Sequence, residues 1–132
     1  MIIESNKGLI KRPVNEVFDY LCDMNNFKNL LPEDKISNWT ADEKQCSFKV
    51  QGTTTISFIR ESESKPNKIH IISGENSPFS FFLDIHLNEE GDTTIGYQVF
   101  NADINMFMKM MVEKPLTHLI NTMVSRLESE LN

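Results

Sequence analysis

The stretch Ile104-Asn105-Met106-Phe107-Met108-Lys109-Met110-Met111-Val112-Glu113-Lys114-Pro115-Leu116 opens a segment that runs to the last residue without a glycine, and its reading decides how the chain is built. On a wheel of about 3.6 residues per turn, Ile104, Met106, Phe107, Met108, Met110, Met111 and Val112 spread apolar side chains almost all the way round, interrupted by Asn105 and Lys109. After Pro115 the pattern narrows. Leu116, Leu119, Ile120, Met123, Leu127 and Leu131 fall into one stripe, while Lys114, His118, Asn121, Ser125 and Glu128 take the other side. The spacing predicts one long helix that packs a single face in its second half and, in its first, buries more than one face or lines a cavity. Unbranched, polarizable methionine suits an irregular gap or an adaptable binding surface. Plain core packing accounts for the same positions equally well. Pro115 removes one helical hydrogen bond to Met111, so a kink is expected there, which would let the first half tilt as a lid.

Upstream, residues 35–103 follow a period of two, divided by turn signals at residues 41–44, Gly52, Lys65-Pro66-Asn67, residues 74–78 and Glu90-Gly91-Asp92. About six strands fit between them. Cys46, Phe48 and Val50 alternate with Ser47 and Lys49; Phe81, Leu83, Ile85 and Leu87 alternate with Ser80, Asp84 and His86, a pattern broken by Phe82. Ile95, Tyr97 and Val99 continue the inner face on this reading. Residues 2–11 make one more strand, Pro13 sits at the first helical position before Val14, Val17, Phe18 and Leu21, and Asp23 caps a second short helix that Pro32 stops. The predicted fold is α+β: a curved antiparallel sheet of about seven strands, two short helices after the first strand, and a long C-terminal helix across the concave face.

Ile10-Lys11-Arg12-Pro13-Val14-Asn15-Glu16-Val17-Phe18-Asp19-Tyr20-Leu21-Cys22-Asp23, with the pairs Asn26-Phe27 and Leu31-Pro32, resembles the opening of the START / Bet v 1-like superfamily, also called helix-grip or polyketide-cyclase-like. The resemblance covers nearly the whole chain. It implies the helix-grip fold and a cavity under the long helix. Members of that superfamily bind sterols, lipids, polyketides, plant hormones or other apolar molecules, some catalyse cyclisation or dehydration in the cavity, and some activate a chaperone ATPase. Such a fold does not by itself settle an activity.

The 132 residues make one domain of ordinary size, with 39% hydrophobic and 24% charged residues. No apolar run approaches the roughly 18 residues of a membrane span, and no secretory signal opens the chain. Cys22 and Cys46 lack metal-ligand spacing and suit reduced thiols in the cytoplasm. With 19 acidic and 13 basic residues, net charge −6, and the cations scattered, nucleic acid is not an expected partner, nor is integral association with a membrane. Nucleophile-elbow, phosphate-loop and zinc-helix motifs are absent, and His70, His86 and His118 are too scattered for a metal centre, so neither cofactor nor metal is expected. Asp84 and His86 share one face, but an outward one. Arg60 follows inner parity and so needs a partner or a snorkelling path.

The expected function is binding of a small hydrophobic ligand, such as a lipid or polyketide, rather than catalysis. Its cavity candidates are Ile56, Phe58, Phe81, Leu83, Tyr97 and Val99 on the sheet with Phe107, Met108, Met111, Val112 and Leu119 on the helix, Tyr97 being the polar group that would orient the ligand. Two alternatives stay open. One is a cyclase- or dehydratase-type enzyme in the same cavity; the other is a protein-interaction or chaperone-cofactor module, with a homodimer formed through the methionine-rich start of the long helix.

Overall fold

The structure, a computed structural model, describes residues 1–50, 52 and 54–132. Two short strands, β1 (Ile2–Glu4) and β2 (Gly8–Ile10), stand where one was expected across residues 2–11. Ser5 makes the break. Its backbone N–H donates to the Gln98 carbonyl and its hydroxyl oxygen accepts from the Gln98 N–H, each at 2.8 Å, so a side chain replaces part of the ladder and the chain steps aside before pairing resumes.

Pro13, at φ −59°, immediately precedes α1 (Val14–Cys22), one position earlier than expected. Val14, Val17, Phe18 and Leu21 are all buried, as their spacing requires. Asp23 accepts from the Asn25 N–H and caps a segment that winds as a 3-10 helix, Met24–Leu30, seating Met24, Phe27 and Leu30 in the core.

Six strands follow: β3 (Ile36–Ala41), β4 (Gln45–Val50), β5 (Thr54–Ser64), β6 (Lys68–Ser73), β7 (Phe81–Glu90) and β8 (Thr93–Ala102). They form one antiparallel sheet in the order β1-β8-β7-β6-β5-β4-β3, with β2 also on β8. At the β3 edge the register slips between Ser37 and Thr40, where Asn38 takes the left-handed φ of 53° that asparagine tolerates better than most residues.

The inner face carries Cys46, Phe48, Phe58, Ile69, Ile71, Phe81, Leu83, Ile85, Leu87 and Phe100, all buried. Packed on it is α2 (Met106–Leu131), which buries Leu116, Ile120, Met123, Val124 and Leu127. Asn105 caps this helix by accepting from the Met108 N–H at 2.8 Å. The helix is continuous through Pro115. Proline brings no N–H to the Met111 carbonyl, and the Thr117 hydroxyl donates to the Glu113 carbonyl at 2.7 Å beside it.

The apolar alternation of β8 pointed the wrong way. Thr94, Gly96, Gln98, Phe100 and Ala102 face the core, which puts Ile95, Tyr97 and Val99 on the outer side. Gly96 sits inside in a tight place: a Cβ there would lie 3.2 Å from Ile10 Cδ1 and 3.4 Å from Leu87 Cδ2, so those side chains would have to give by a few tenths of an ångström. Backbone and core approach so closely that a blank in the pattern, rather than an apolar side chain, marks the buried face.

Candidate functional site

Between α2 and the sheet lies an apolar void of about 10 Å³, close to the space a single water requires. Ile56 and Phe58 of β5, Phe81 and Leu83 of β7, and Phe100 of β8 form its floor; Pro78 and Phe79 close one side, and Leu116, Leu119 and Ile120 of α2 form the roof. Aromatic rings occupy most of the room a curved sheet leaves under a helix. Phe58 meets Phe27, Phe48 and Phe81 edge-on with ring centres 6.2, 5.5 and 5.8 Å away, and Phe81 stacks on Phe100 at 4.9 Å.

Of the predicted cavity residues, Ile56, Phe58, Phe81, Leu83 and Leu119 meet around this void. Tyr97 and Val99 do not. Tyr97 stacks on His86 across the outer face at 4.9 Å, with the Lys7 ammonium 5.6 Å from its ring centre, and Val99 pairs with Asp84 and Glu4. Phe107 and Met111 are 72% and 59% exposed, and Met106 and Met110 beside them 70% and 78%. The expectation that the first half of α2 buries more than one face therefore fails. The buried stripe through Leu116, Ile120 and Met123 extends back only to Val112 and Met108, both half-buried, and these four side chains lie off it.

Two polar residues of β8 face inward instead, Thr94, whose hydroxyl donates to the Arg12 carbonyl at 2.9 Å, and Gln98. Gln98 is 1% exposed, and its Oε1 has no such partner among the described residues. A polar residue between Tyr97 and Val99 reads as an outward position when those two are taken as inward, so the sequence pattern concealed it. Arg60 keeps inner parity and snorkels: its guanidinium donates to Glu63 Oε2 at 3.2 Å and to the Glu43 carbonyl at 3.5 Å. Trp39 stacks on Phe48 at 6.1 Å.

Both cysteines are free thiols. Burial pushes Cys46 up to about 12, and burial is also the main reason Cys22 lies above its usual value, so neither has the lowered pKa of a nucleophilic cysteine. His70 Nδ1 contacts Asp84 Oδ1 at 2.5 Å, with Glu61 3.7 Å from Nε2, but this trio lies on the outer face of the sheet, away from the void. No group of three or more His, Cys, Asp or Glu suited to a metal ion occurs among the described residues. Nor, among them, is any helix long and apolar enough to cross a membrane.

The CoxG family, described as a carbon monoxide dehydrogenase subunit, matches residues 8–132. No curated protein matches the sequence. Among solved structures, a conserved protein from Geobacillus kaustophilus superposes with a TM-score of 0.72 at 14% identity, over 99% of this chain and 95% of that one. A START superfamily protein from Mycobacterium smegmatis gives 0.71 at 9% identity, over 98% and 96%. CalU16 from Micromonospora echinospora gives 0.61 at 19% identity, over 94% of this chain and 62% of its own. The fold is the START/Bet v 1-like helix grip, with its curved antiparallel sheet and long C-terminal helix.

Proposed function

Since the chain belongs to the CoxG family, we propose that it binds a small apolar molecule in the seam between the curved sheet and α2. The observation that carries this reading is the seam itself: its lining is wholly apolar, it holds a small void, and it adjoins an apolar half-helix that the core leaves uncovered. A lipid, polyketide or similar molecule fits that chemistry. Catalysis of a cyclase or dehydratase type needs ionisable groups converging on the ligand, and the lining residues carry none. The site works in this reading as a carrier or sensor pocket, in the cytoplasm, where Cys22 and Cys46 stay reduced.

A void of about 10 Å³ must open to admit such a ligand. The first half of α2 is the part with least to lose, because its buried residues begin only at Leu116 and Pro115 interrupts the hydrogen-bond ladder between the halves. Amide hydrogen exchange should therefore be faster over residues 107–112 than over residues 119–127. Equal protection of the two halves would rule out opening by this route. Native mass spectrometry of the purified protein beside a denatured sample tests carriage directly: an added mass that disappears on denaturation is expected, and an identical bare mass in both samples counts against a tightly held ligand.

A second reading rests on Met106, Phe107, Met110 and Met111, whose exposure favours a protein contact, either a homodimer through the start of α2 or a larger assembly of the kind that the family's description implies. Met111→Glu should leave stability within about 0.5 kcal/mol of wild type, because the side chain already stands in water. Sedimentation decides the dimer: a concentration-dependent mass that this variant loses supports it, and the same monomer mass for both proteins removes it.

A further inference from the structure

The main-chain groups of Gln98 are both used, its N–H by the Ser5 hydroxyl and its carbonyl by the Ser5 N–H, so the residue's place on β8 is pinned while its buried side-chain oxygen has no partner among the described residues. A buried acceptor without a donor is costly unless something supplies one. Its position shows what that could be. Gln98 stands on the inner face two residues from Phe100 and directly opposite Ile85, which is two residues from Leu83; Phe100 and Leu83 both line the void. At about 3.3 Å per residue, the Gln98 side chain leaves the sheet roughly 7 Å further along the same face.

The helix above points the same way. Leu116 and Ile120 cover the void, whereas Val124 and Glu128 lie over Gly8, the partner of Gly96 in the ladder. Gln98, between Phe100 and Gly96, therefore falls beneath the turn of α2 that carries Met123. That methionine is fully buried and unbranched, a filling that shifts with little strain.

We propose that Gln98 is the polar anchor of the ligand site: when the seam opens, its Oε1 accepts a hydrogen bond from a hydroxyl or N–H at the leading end of an otherwise apolar molecule. The site then selects apolar alcohols, phenols or amines over hydrocarbons of the same shape. A buried polar group discriminates strongly against an analogue that leaves it unpaired. This inference rests on the ligand-binding reading above and adds to it the ligand's chemical class and its orientation, donor end towards β2 and apolar body towards Phe81.

The probes are 1-naphthol and 1-methylnaphthalene, nearly equal in shape and differing in whether a donor is present. Their affinities are measured by fluorescence titration and calorimetry for wild type, Gln98→Leu and Gln98→Met, the last keeping the unbranched outline should leucine not be accommodated. Wild type should prefer 1-naphthol, and both variants should lose that preference by about tenfold or more while binding 1-methylnaphthalene at least as well as wild type does. A preference that survives both substitutions overturns the role of Gln98 and leaves the ligand-binding reading standing. Failure of all three proteins to bind either probe overturns that reading, and the anchor with it.

Discussion

Phe58→Ala should lower the free energy of unfolding by about 3–5 kcal/mol, the range for deleting a buried aromatic ring from a packed core. The ring is 2% exposed and joins five parts of the fold: it lies on β5, meets Phe27 of the 3-10 helix, Phe48 of β4 and Phe81 of β7, and borders the void beneath α2. Its removal takes away transfer energy and leaves a hole that merges with existing free space, so collapse around it is limited. Urea unfolding followed by the fluorescence of Trp39, the single tryptophan, measures the loss. For a chain of 132 residues the same change corresponds to a Tm lower by roughly 10–20 °C. A loss below about 1 kcal/mol would mean that the ring is not packed as described.

Cys46→Val should flatten the alkaline limb of the stability curve. Burial holds the Cys46 thiol at about 12 in the folded protein, against 9.0 when free, so the folded state keeps a proton that the unfolded state releases. The sign follows: the contribution is fully present below pH 9 and is lost as pH rises towards 12. That difference of about three units amounts to roughly 4 kcal/mol over the whole range, and to about 2 kcal/mol by pH 10.5. Valine is apolar, one γ methyl larger, and does not ionise. Relative to its own value at pH 8, wild type should therefore fall about 2 kcal/mol further than the variant at pH 10.5. Parallel curves for the two proteins would show that Cys46 is not sealed from water.

The architecture was legible because its signals are local. Val14, Val17, Phe18 and Leu21 repeat at helical spacing, Asp23 is a helix cap, and Phe81, Leu83, Ile85 and Leu87 alternate with outward residues of which Phe82 alone is apolar; each lies where that pattern puts it. Three features depend on what another part of the chain does, and these were not legible. The strand at residues 2–11 is broken because the Ser5 hydroxyl accepts from the Gln98 N–H, a partner 93 positions away. The faces of β8 run opposite to its apolar alternation: Ile95, Tyr97 and Val99 stand half-buried on the outer side, Tyr97 stacked on His86, while Gly96 and Gln98 sit within. The methionines of α2 look the same in sequence whether buried or bare, and only the sheet beneath decides that Leu116 is covered and Met110 is not. The lining of the void was accordingly half visible: Phe58, Phe81 and Leu83 were legible as inward residues, and the buried Gln98 further along the same face was not.

The irregular margins of the sheet bear on how this chain behaves in a crowded solution. An uninterrupted border strand is a template on which a second chain can add its own backbone, the first step towards ordered aggregation. Here one border is twisted by the left-handed Asn38 and the register slip after Ser37, and the other is divided into two three-residue pieces by Ser5. Neither offers a long flat row of free N–H and C=O groups. Recruitment of further copies by strand addition is disfavoured at both ends, so the chain can crowd against its own copies without its sheet growing into a fibre.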